Sequence, residues 1–104
     1  MTRGDIFRVR MPVGPAHEQR GPRYAVIVQA DELLGLSTAI VAPTSRSAAP
    51  ATFRPEVEID GETTRVLVER LRAVDLDRLD RHAGRLTLEE QRAVDAALEL
   101  VLSL

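Results

Sequence analysis

Two short apolar runs in the first half of the chain constrain its fold more than any other feature. Residues 23–30 read RYAVIVQA and residues 38–43 read TAIVAP, with only seven residues between them. Runs of this length that are rich in β-branched residues are typical of buried strands. Because strands joined by a short connection usually lie side by side, we expect the two to pair antiparallel, with the second strand ending at Pro43.

Further strands are predicted on both sides of this pair. Residues 4–11 and 52–60 alternate apolar and polar side chains, as strands with one exposed face do. Pro55 places the second of these at an edge or a bulge, because proline has no backbone donor for a sheet ladder. The sequence DGE at 60–62 predicts a turn, and residues 63–74 predict one more strand.

The last part of the chain carries helical signals. Asp75 as an N-cap and Gly84 as a C-terminal stop predict a short helix between them. Thr87 and Glu90 have the spacing of a capping box, which predicts the start of a longer helix. The apolar residues that follow at helical spacing are Val94, Ala97, Leu98, Val101 and Leu102. About five strands followed by helices predict one α+β domain over 1–104, a small curled sheet or partly open barrel that carries the last helix.

Composition excludes several classes of protein. A chain of 104 residues has room for one modest core, and no apolar run is long enough to span a membrane. Without cysteine there is neither a disulfide framework nor a thiolate zinc site. His17 and His82 lie in different segments, so a helical metal site is unsupported and we expect no metal or cofactor. The N-terminal sequence turns polar too early for a signal peptide, and we expect a cytoplasmic protein.

Every one of the 14 basic residues is arginine, and their distribution is uneven. Residues 1–55 contain seven arginines against four acids, whereas residues 56–104 contain seven against twelve. Arginine is the residue that grips phosphate with a planar fork, although a GC-rich genome would give the same preference. An isoelectric point near 5.7 argues against a non-specific nucleic-acid binder, but a local anion-binding face remains compatible with it.

Polar side chains are concentrated in two loops next to the two apolar strands. The first loop contains His17, Glu18, Gln19 and Arg20, and the second contains Thr44, Ser45 and Arg46. If the strands pair antiparallel, the start of the first lies beside the end of the second, which makes Arg23 and Thr44 neighbours. A guanidinium and a hydroxyl that converge in this way are suited to binding one phosphate.

These segments resemble the MazF/PemK family of toxin endoribonucleases. The resemblance is carried by RGDIFRV (3–9), HEQRGPRYAVIVQ (17–29), IVAPTSR (40–46) and VLVERLRAVDLDRL (66–79), and it continues into the C-terminal helix. It implies an SH3-like, strongly curled antiparallel β-barrel of the MazF/PemK/CcdB kind with a C-terminal helix. It also implies a homodimer, a MazE-like cognate antitoxin as partner, and cleavage of single-stranded RNA without a metal.

The resemblance assigns catalysis to Arg23 and Thr44. The sequence departs from the family pattern at Tyr24, where proline is common, and the Pro-x-Thr of many members is shortened here to Pro43-Thr44. The shortening leaves Ser45 as a rival for the role of catalytic hydroxyl. Thr44 ranks first because Thr-Ser directly after the strand matches the family best.

In RNA cleavage of this kind the 2′-hydroxyl attacks the adjacent phosphorus, and the reaction needs a proton acceptor and a proton donor. Arginine is a poor base because its pKa exceeds about 12. His17 and Glu18 are candidates for proton transfer. Further candidates for catalysis or RNA binding are Gln19, Arg20, Ser45 and Arg46. Arg70 and Arg72 are interpreted as structural.

Two other functions compete with the ribonuclease. One is a non-catalytic toxin like CcdB, which binds DNA gyrase through its C-terminal helix, although the terminal sequence ELVLSL lacks the Trp-Gly-Ile ending of those proteins. The other is a catalytically inactive RNA-binding module. Cleavage of RNA in the presence of a chelator separates the ribonuclease from both.

Overall fold

The computed structural model describes residues 1–10 and 23–104, and this part of the chain forms a seven-stranded antiparallel sheet with one α-helix. The strands are β1 (Asp5–Val9), β2 (Tyr24–Ile27), β3 (Thr38–Ser45), β4 (Glu56–Ile59), β5 (Glu62–Val66), β6 (Arg72–Asp75) and β7 (Leu79–Arg85). The helix α1 is Leu88–Leu102. Short 3₁₀ turns cover Asp31–Leu33, Val68–Arg70 and Leu76–Arg78.

Strand β3 organises the sheet because it has partners along both of its edges. On one edge it pairs antiparallel with β2, as the sequence predicts. On the other edge its first half pairs with β6 and its last two residues pair with β5. A strand that changes partner along one edge requires the sheet to curl, and the result is a half-barrel closed on one side by α1. The predicted α+β class and curled antiparallel sheet are confirmed.

Pro43 does not end β3, which contradicts the sequence-based prediction. The strand continues to Ser45, with Pro43 opposite Ala25 of β2. On its other edge the Pro43 carbonyl accepts a hydrogen bond of 2.8 Å from the Leu67 amide, between the segments paired with β6 and with β5. Proline has no backbone N–H group, and Pro43 lies at the point where the partner of β3 changes from β6 to β5. No hydrogen bond of the sheet is therefore lost there.

Alternate side chains of β2 and β3 enter two different apolar clusters, because successive residues of a strand face opposite sides of a sheet. Val26 and Ala42 belong to the cluster that contacts α1 through Val94, Ala97 and Leu98. The second cluster contains Val9, Ala25, Ile27, Ala39, Val41 and Val74. Burial on both faces explains why β2 reads as a continuous apolar run.

The C-terminal helix begins where the capping box predicts. The Glu90 amide donates to the Thr87 hydroxyl at 3.1 Å, and the Thr87 amide donates to the Glu90 carboxylate at 2.9 Å. Leu102, predicted to share the buried face, is 49% exposed because the last turn extends beyond the core. No helix in the described ranges is long and apolar enough to span a membrane.

The helix predicted between Asp75 and Gly84 does not form. Asp75 ends β6 without a capping hydrogen bond from its side chain, a 3₁₀ turn follows, and Leu79–Arg85 forms β7. Strand β7 pairs with β1 over its whole length, and Gly84 lies in that ladder opposite Ile6. Pairing that covers the open edge of β1 outweighs a weak local preference for helix.

The predicted strand at 63–74 is two strands separated by the turn at Val68–Arg70. The interruption lets β5 and β6 pair with successive parts of the same edge of β3. The predicted strand at 52–60 is shorter than expected and begins at Glu56, and it lies at the edge of the sheet as Pro55 indicates. Asp60 and Gly61, both at positive φ, form the predicted tight turn into β5.

Candidate functional site

An open pocket lies where β2 begins and β3 ends, and Arg23 and Thr44 both line it. The other lining residues are Val9, Tyr24, Ala25, Val41, Pro43, Arg72 and Val74. The described part of the lining therefore contains two arginines and no carboxylate, which makes it a positively charged surface suited to an anion.

The antiparallel register of β2 and β3 brings Arg23 and Thr44 together. Ala25 lies opposite Pro43, which leaves Tyr24 opposite Thr44 one step further along. The Thr44 hydroxyl donates to the Tyr24 carbonyl at 3.2 Å, and the Arg23 carbonyl accepts from the Val9 amide at 2.9 Å. Both residues are thus mounted on stiff backbone, and the predicted proximity at this end of the sheet is found.

Ser45, the rival hydroxyl, does not line the pocket. It is only 6% exposed, and its oxygen lies 3.3 Å from the oxygen of Ser47. The geometry favours Thr44 as the hydroxyl available there.

Arg46 also lies away from the pocket. Its guanidinium forms an exposed ion pair with Glu62, at the start of β5. The charge of Arg46 is compensated by that carboxylate. The first-loop candidates His17, Glu18, Gln19 and Arg20 fall outside the described residues, so their roles stay predictions.

Tyr24 connects the mouth of the pocket to the turn between β4 and β5. Its hydroxyl donates to the Asp60 carboxylate at 2.8 Å. That hydrogen bond, together with partial burial and the Asp60 charge, raises the pKa of Tyr24, and Arg81 and Arg8 oppose the rise. A phenol held protonated in this way is unsuited to act as a base near neutral pH.

Arg72, which the sequence led us to interpret as structural, is the second arginine that lines the pocket. It begins β6 and lies opposite Val41 of β3. The sequence offered no signal to separate it from Arg70, since both lie in the same predicted strand with the same alternation. Only the turn at Val68–Arg70, which starts a new strand at Arg72, brings one of the two into the pocket.

Comparison with known proteins identifies the family. The sequence profile described as PemK-like, MazF-like toxin of type II toxin-antitoxin system matches residues 2–102. The chain belongs to this family. Membership favours the MazF/PemK prediction over the CcdB-like alternative.

A curated relative supports the assignment to the PemK-like, MazF-like family. The candidate toxin Rv3098A/RVBD_3098A of Mycobacterium tuberculosis (strain ATCC 25618 / H37Rv) is 44% identical over 77 residues, which are 73% of this chain and 72% of that protein. The aligned portion thus exceeds two thirds of both proteins.

Two solved structures share the fold of this family member. An endoribonuclease from a mycobacterial species, in complex with its cognate antitoxin, superposes with a TM-score of 0.83 at 15% identity, covering 100% of this chain and 96% of that one. MazF from Deinococcus radiodurans gives a TM-score of 0.81 at 19% identity, covering 100% and 97%. The half-barrel with its C-terminal helix is the fold that these proteins have in common.

Proposed function

We propose that this chain is the toxin of a type II toxin–antitoxin pair and cleaves single-stranded RNA without a metal, with Arg23 and Thr44 in its active site. Family membership and the shared fold with a mycobacterial endoribonuclease support the activity. The observation that carries the assignment of residues is the pocket that Arg23 and Thr44 both line, with no carboxylate among its described lining residues. Residues 1–104 would act as one domain in the cytoplasm, where messenger RNA is translated.

In the proposed reaction the 2′-oxygen forms a bond to phosphorus while the bond from phosphorus to the 5′-oxygen breaks. The products are a 2′,3′-cyclic phosphate and a 5′-hydroxyl end. Negative charge grows on the phosphoryl oxygens, where the Arg23 guanidinium donates two parallel hydrogen bonds and the Thr44 hydroxyl donates a third. Thr44 must first release the Tyr24 carbonyl, and a rotation of its side chain is sufficient for this.

Proton transfer must come from other groups. A base takes the 2′-hydroxyl proton, and an acid returns a proton to the departing 5′-oxygen. Arg23 stays charged at neutral pH, and the Tyr24 hydroxyl is committed to Asp60. The first-loop residues His17 and Glu18, which precede Arg23 in the sequence, are the groups we propose for this work.

We propose two protein partners, an antitoxin and a second copy of this chain. A MazE-like antitoxin would neutralise the toxin by covering the pocket with acidic or apolar side chains, and the mycobacterial endoribonuclease is seen with its own antitoxin. We expect the toxin to act as a homodimer.

RNA cleavage in a chelator tests the proposal. Purified wild type, Arg23→Ala and Thr44→Ala are incubated with a long single-stranded RNA in excess chelator, and the cut ends are mapped and analysed chemically. We expect defined cuts with 5′-hydroxyl ends in the wild type, and a loss on the order of 100- to 1000-fold in rate for each variant.

Arg46→Ala is the matched control, because Arg46 is an arginine next to the same strand but outside the pocket. It should cut at a rate close to that of the wild type. Circular dichroism of all four proteins establishes that they are folded. A folded wild type that leaves every RNA intact would refute the enzyme assignment and favour passive RNA binding.

A further inference from the structure

We infer that Arg72 binds a phosphate that flanks the scissile one, and so serves as a positioning residue for the RNA. This inference rests on the proposed function. It starts from the lining of the pocket, in which Arg72 is a second arginine that the proposed chemistry leaves without a role.

The register of the sheet separates Arg72 from the proposed catalytic pair. Arg72 lies opposite Val41 on one edge of β3, and Ile27 of β2 lies opposite Val41 on the other edge. Thr44 is three residues further along β3, a distance of about 10 Å at the usual strand rise. Arg23 lies beside the Thr44 end, so the two arginines approach the pocket from opposite ends. An extended ligand with several phosphates fits this spacing better than a single phosphate does.

The charge of Arg72 is uncompensated in the described part of the chain. Its side chain is exposed and makes neither a hydrogen bond nor an ion pair there. Other arginines are paired with carboxylates: Arg3 with Asp95, Arg46 with Glu62, Arg54 with Glu69, Arg65 with Glu56 and Arg85 with Asp5. An unpaired guanidinium that lines the same pocket as Arg23 raises the local positive potential, which a phosphodiester chain would neutralise.

The position also predicts which kinetic constant Arg72 controls. A cation on the scissile phosphate acts in the transition state and changes kcat, whereas a cation on a flanking phosphate holds substrate and transition state alike. Removing Arg72 should therefore raise KM and leave kcat within a few-fold. Arg23, by contrast, should act through kcat.

Salt-dependent binding provides the direct test. The probe is an RNA oligonucleotide that spans the mapped cut site and carries a 2′-deoxynucleotide there, so that the nucleophile is missing and binding is measured without cleavage. For a single strand, each phosphate neutralised contributes about 0.7 to the slope of log K against log salt. We expect Arg72→Ala to lower the slope by about that amount and Arg72→Lys to restore most of it.

Arg70→Ala is the matched control. Arg70 has the same charge, is also exposed, and lies two positions away outside the pocket. It should keep the slope and KM of the wild type. An equal loss in both variants would mean a general effect of net charge and would overturn the inference.

The remaining outcomes separate this inference from the proposed function. A wild type that cuts RNA together with an Arg72→Ala variant that keeps the full salt slope would refute only the role of Arg72. A fall in kcat with an unchanged KM would place Arg72 on the scissile phosphate and would also overturn the inference. A wild type without any cleavage would refute the proposed function itself.

Discussion

The Thr44 hydroxyl donates a hydrogen bond to the carbonyl of Tyr24, the residue opposite it on β2, at 3.2 Å. This bond holds the proposed catalytic hydroxyl at the end of β3, next to the start of β2. Arg23 directly precedes β2. A carbonyl oxygen can only accept, so the hydroxyl is the donor and its proton points toward the protein. In the proposed reaction a phosphate oxygen takes the place of the carbonyl as acceptor. This hydrogen bond thus holds the Thr44 side chain in a defined position in the absence of substrate.

Substitutions at Thr44 separate its hydroxyl from its shape. Thr44→Val keeps the branched side chain and removes the donor, and we expect the cleavage rate to fall on the order of 100- to 1000-fold. Thr44→Ser keeps the hydroxyl and should retain most of the activity. Ser45→Ala is the control, because Ser45 is buried away from the pocket. Single-turnover cleavage measures all three, and a loss in Ser45→Ala as large as in Thr44→Val would reverse the ranking of the two hydroxyls.

The proximity of Arg23 and Thr44 was predictable because it depends on local signals. Two apolar runs with a short connection fix an antiparallel pair, and such a pair brings its outer ends together. The capping box of Thr87 and Glu90 is likewise contained within four residues, and the helix begins where it predicts.

Features that depend on distant partners were not predictable. The segment from Asp75 to Gly84 has helix-ending residues at the right places, yet it forms β7 because the edge of β1 is available to it. Arg72 entered the pocket because the chain breaks the expected strand at Val68–Arg70 and starts a new one against β3. No pattern within residues 63–74 indicates where that break falls. Its position is set by β3, which pairs with β5 at one end and with β6 at the other.

The hydrogen bond from Tyr24 to Asp60 should be visible in the titration of the protein. Tyr24 is the only tyrosine of the chain, so the ultraviolet absorbance of phenolate reports this residue alone. The pKa of Tyr24 should lie above 10.0, because ionisation would break a bond to a carboxylate and place two negative charges together. Asp60→Asn should lower the pKa of Tyr24 because it removes the negative charge. Asparagine is chosen because it tolerates the left-handed backbone at that position. An identical titration in both proteins would contradict the contact.

Asp5 should make the stability of the fold depend on acid. Burial by itself would raise the pKa of Asp5, but the amide of Thr2, His82 and the Arg85 guanidinium together hold it below its ordinary value of 3.8. A lowered pKa in the folded state stabilises the protein above pH 3.8, and this contribution is lost as the pH falls through the folded-state value. The free energy of unfolding should therefore fall steeply in acid for the wild type and less steeply for Asp5→Asn.

Asp80→Asn is the control for that measurement. Asp80 is an exposed carboxylate on β7 without an ion pair in the described part of the chain. Denaturant unfolding at several pH values compares the three proteins. If the acid dependence of Asp5→Asn matches that of the wild type, the cluster around Asp5 does not couple protonation to folding.

Gly4 should be intolerant of a side chain, because it joins β1 to two other parts of the fold in a backbone conformation that favours glycine. Its φ is +93°, a conformation that strains any residue with a Cβ atom, and the Gln91 side-chain oxygen would have to move aside to admit one. Its amide donates to the Ile27 carbonyl at 2.8 Å, and its carbonyl accepts from the Leu86 amide at 2.9 Å, so the backbone cannot shift without losing one of these bonds. We expect Gly4→Ala to reduce the free energy of unfolding by about 1–3 kcal/mol.

Gly35→Ala provides the contrast, because nothing lies within 4 Å of the position of its Cβ and its φ is outside the left-handed region. That substitution should leave stability nearly unchanged or raise it slightly, since alanine has fewer conformations to lose on folding. Denaturant midpoints of the two variants against the wild type decide the matter. Equal midpoints for Gly4→Ala and Gly35→Ala would show that the Gln91 side chain and the backbone at Gly4 adjust at no cost, and that β1 is held less rigidly than its hydrogen bonds indicate.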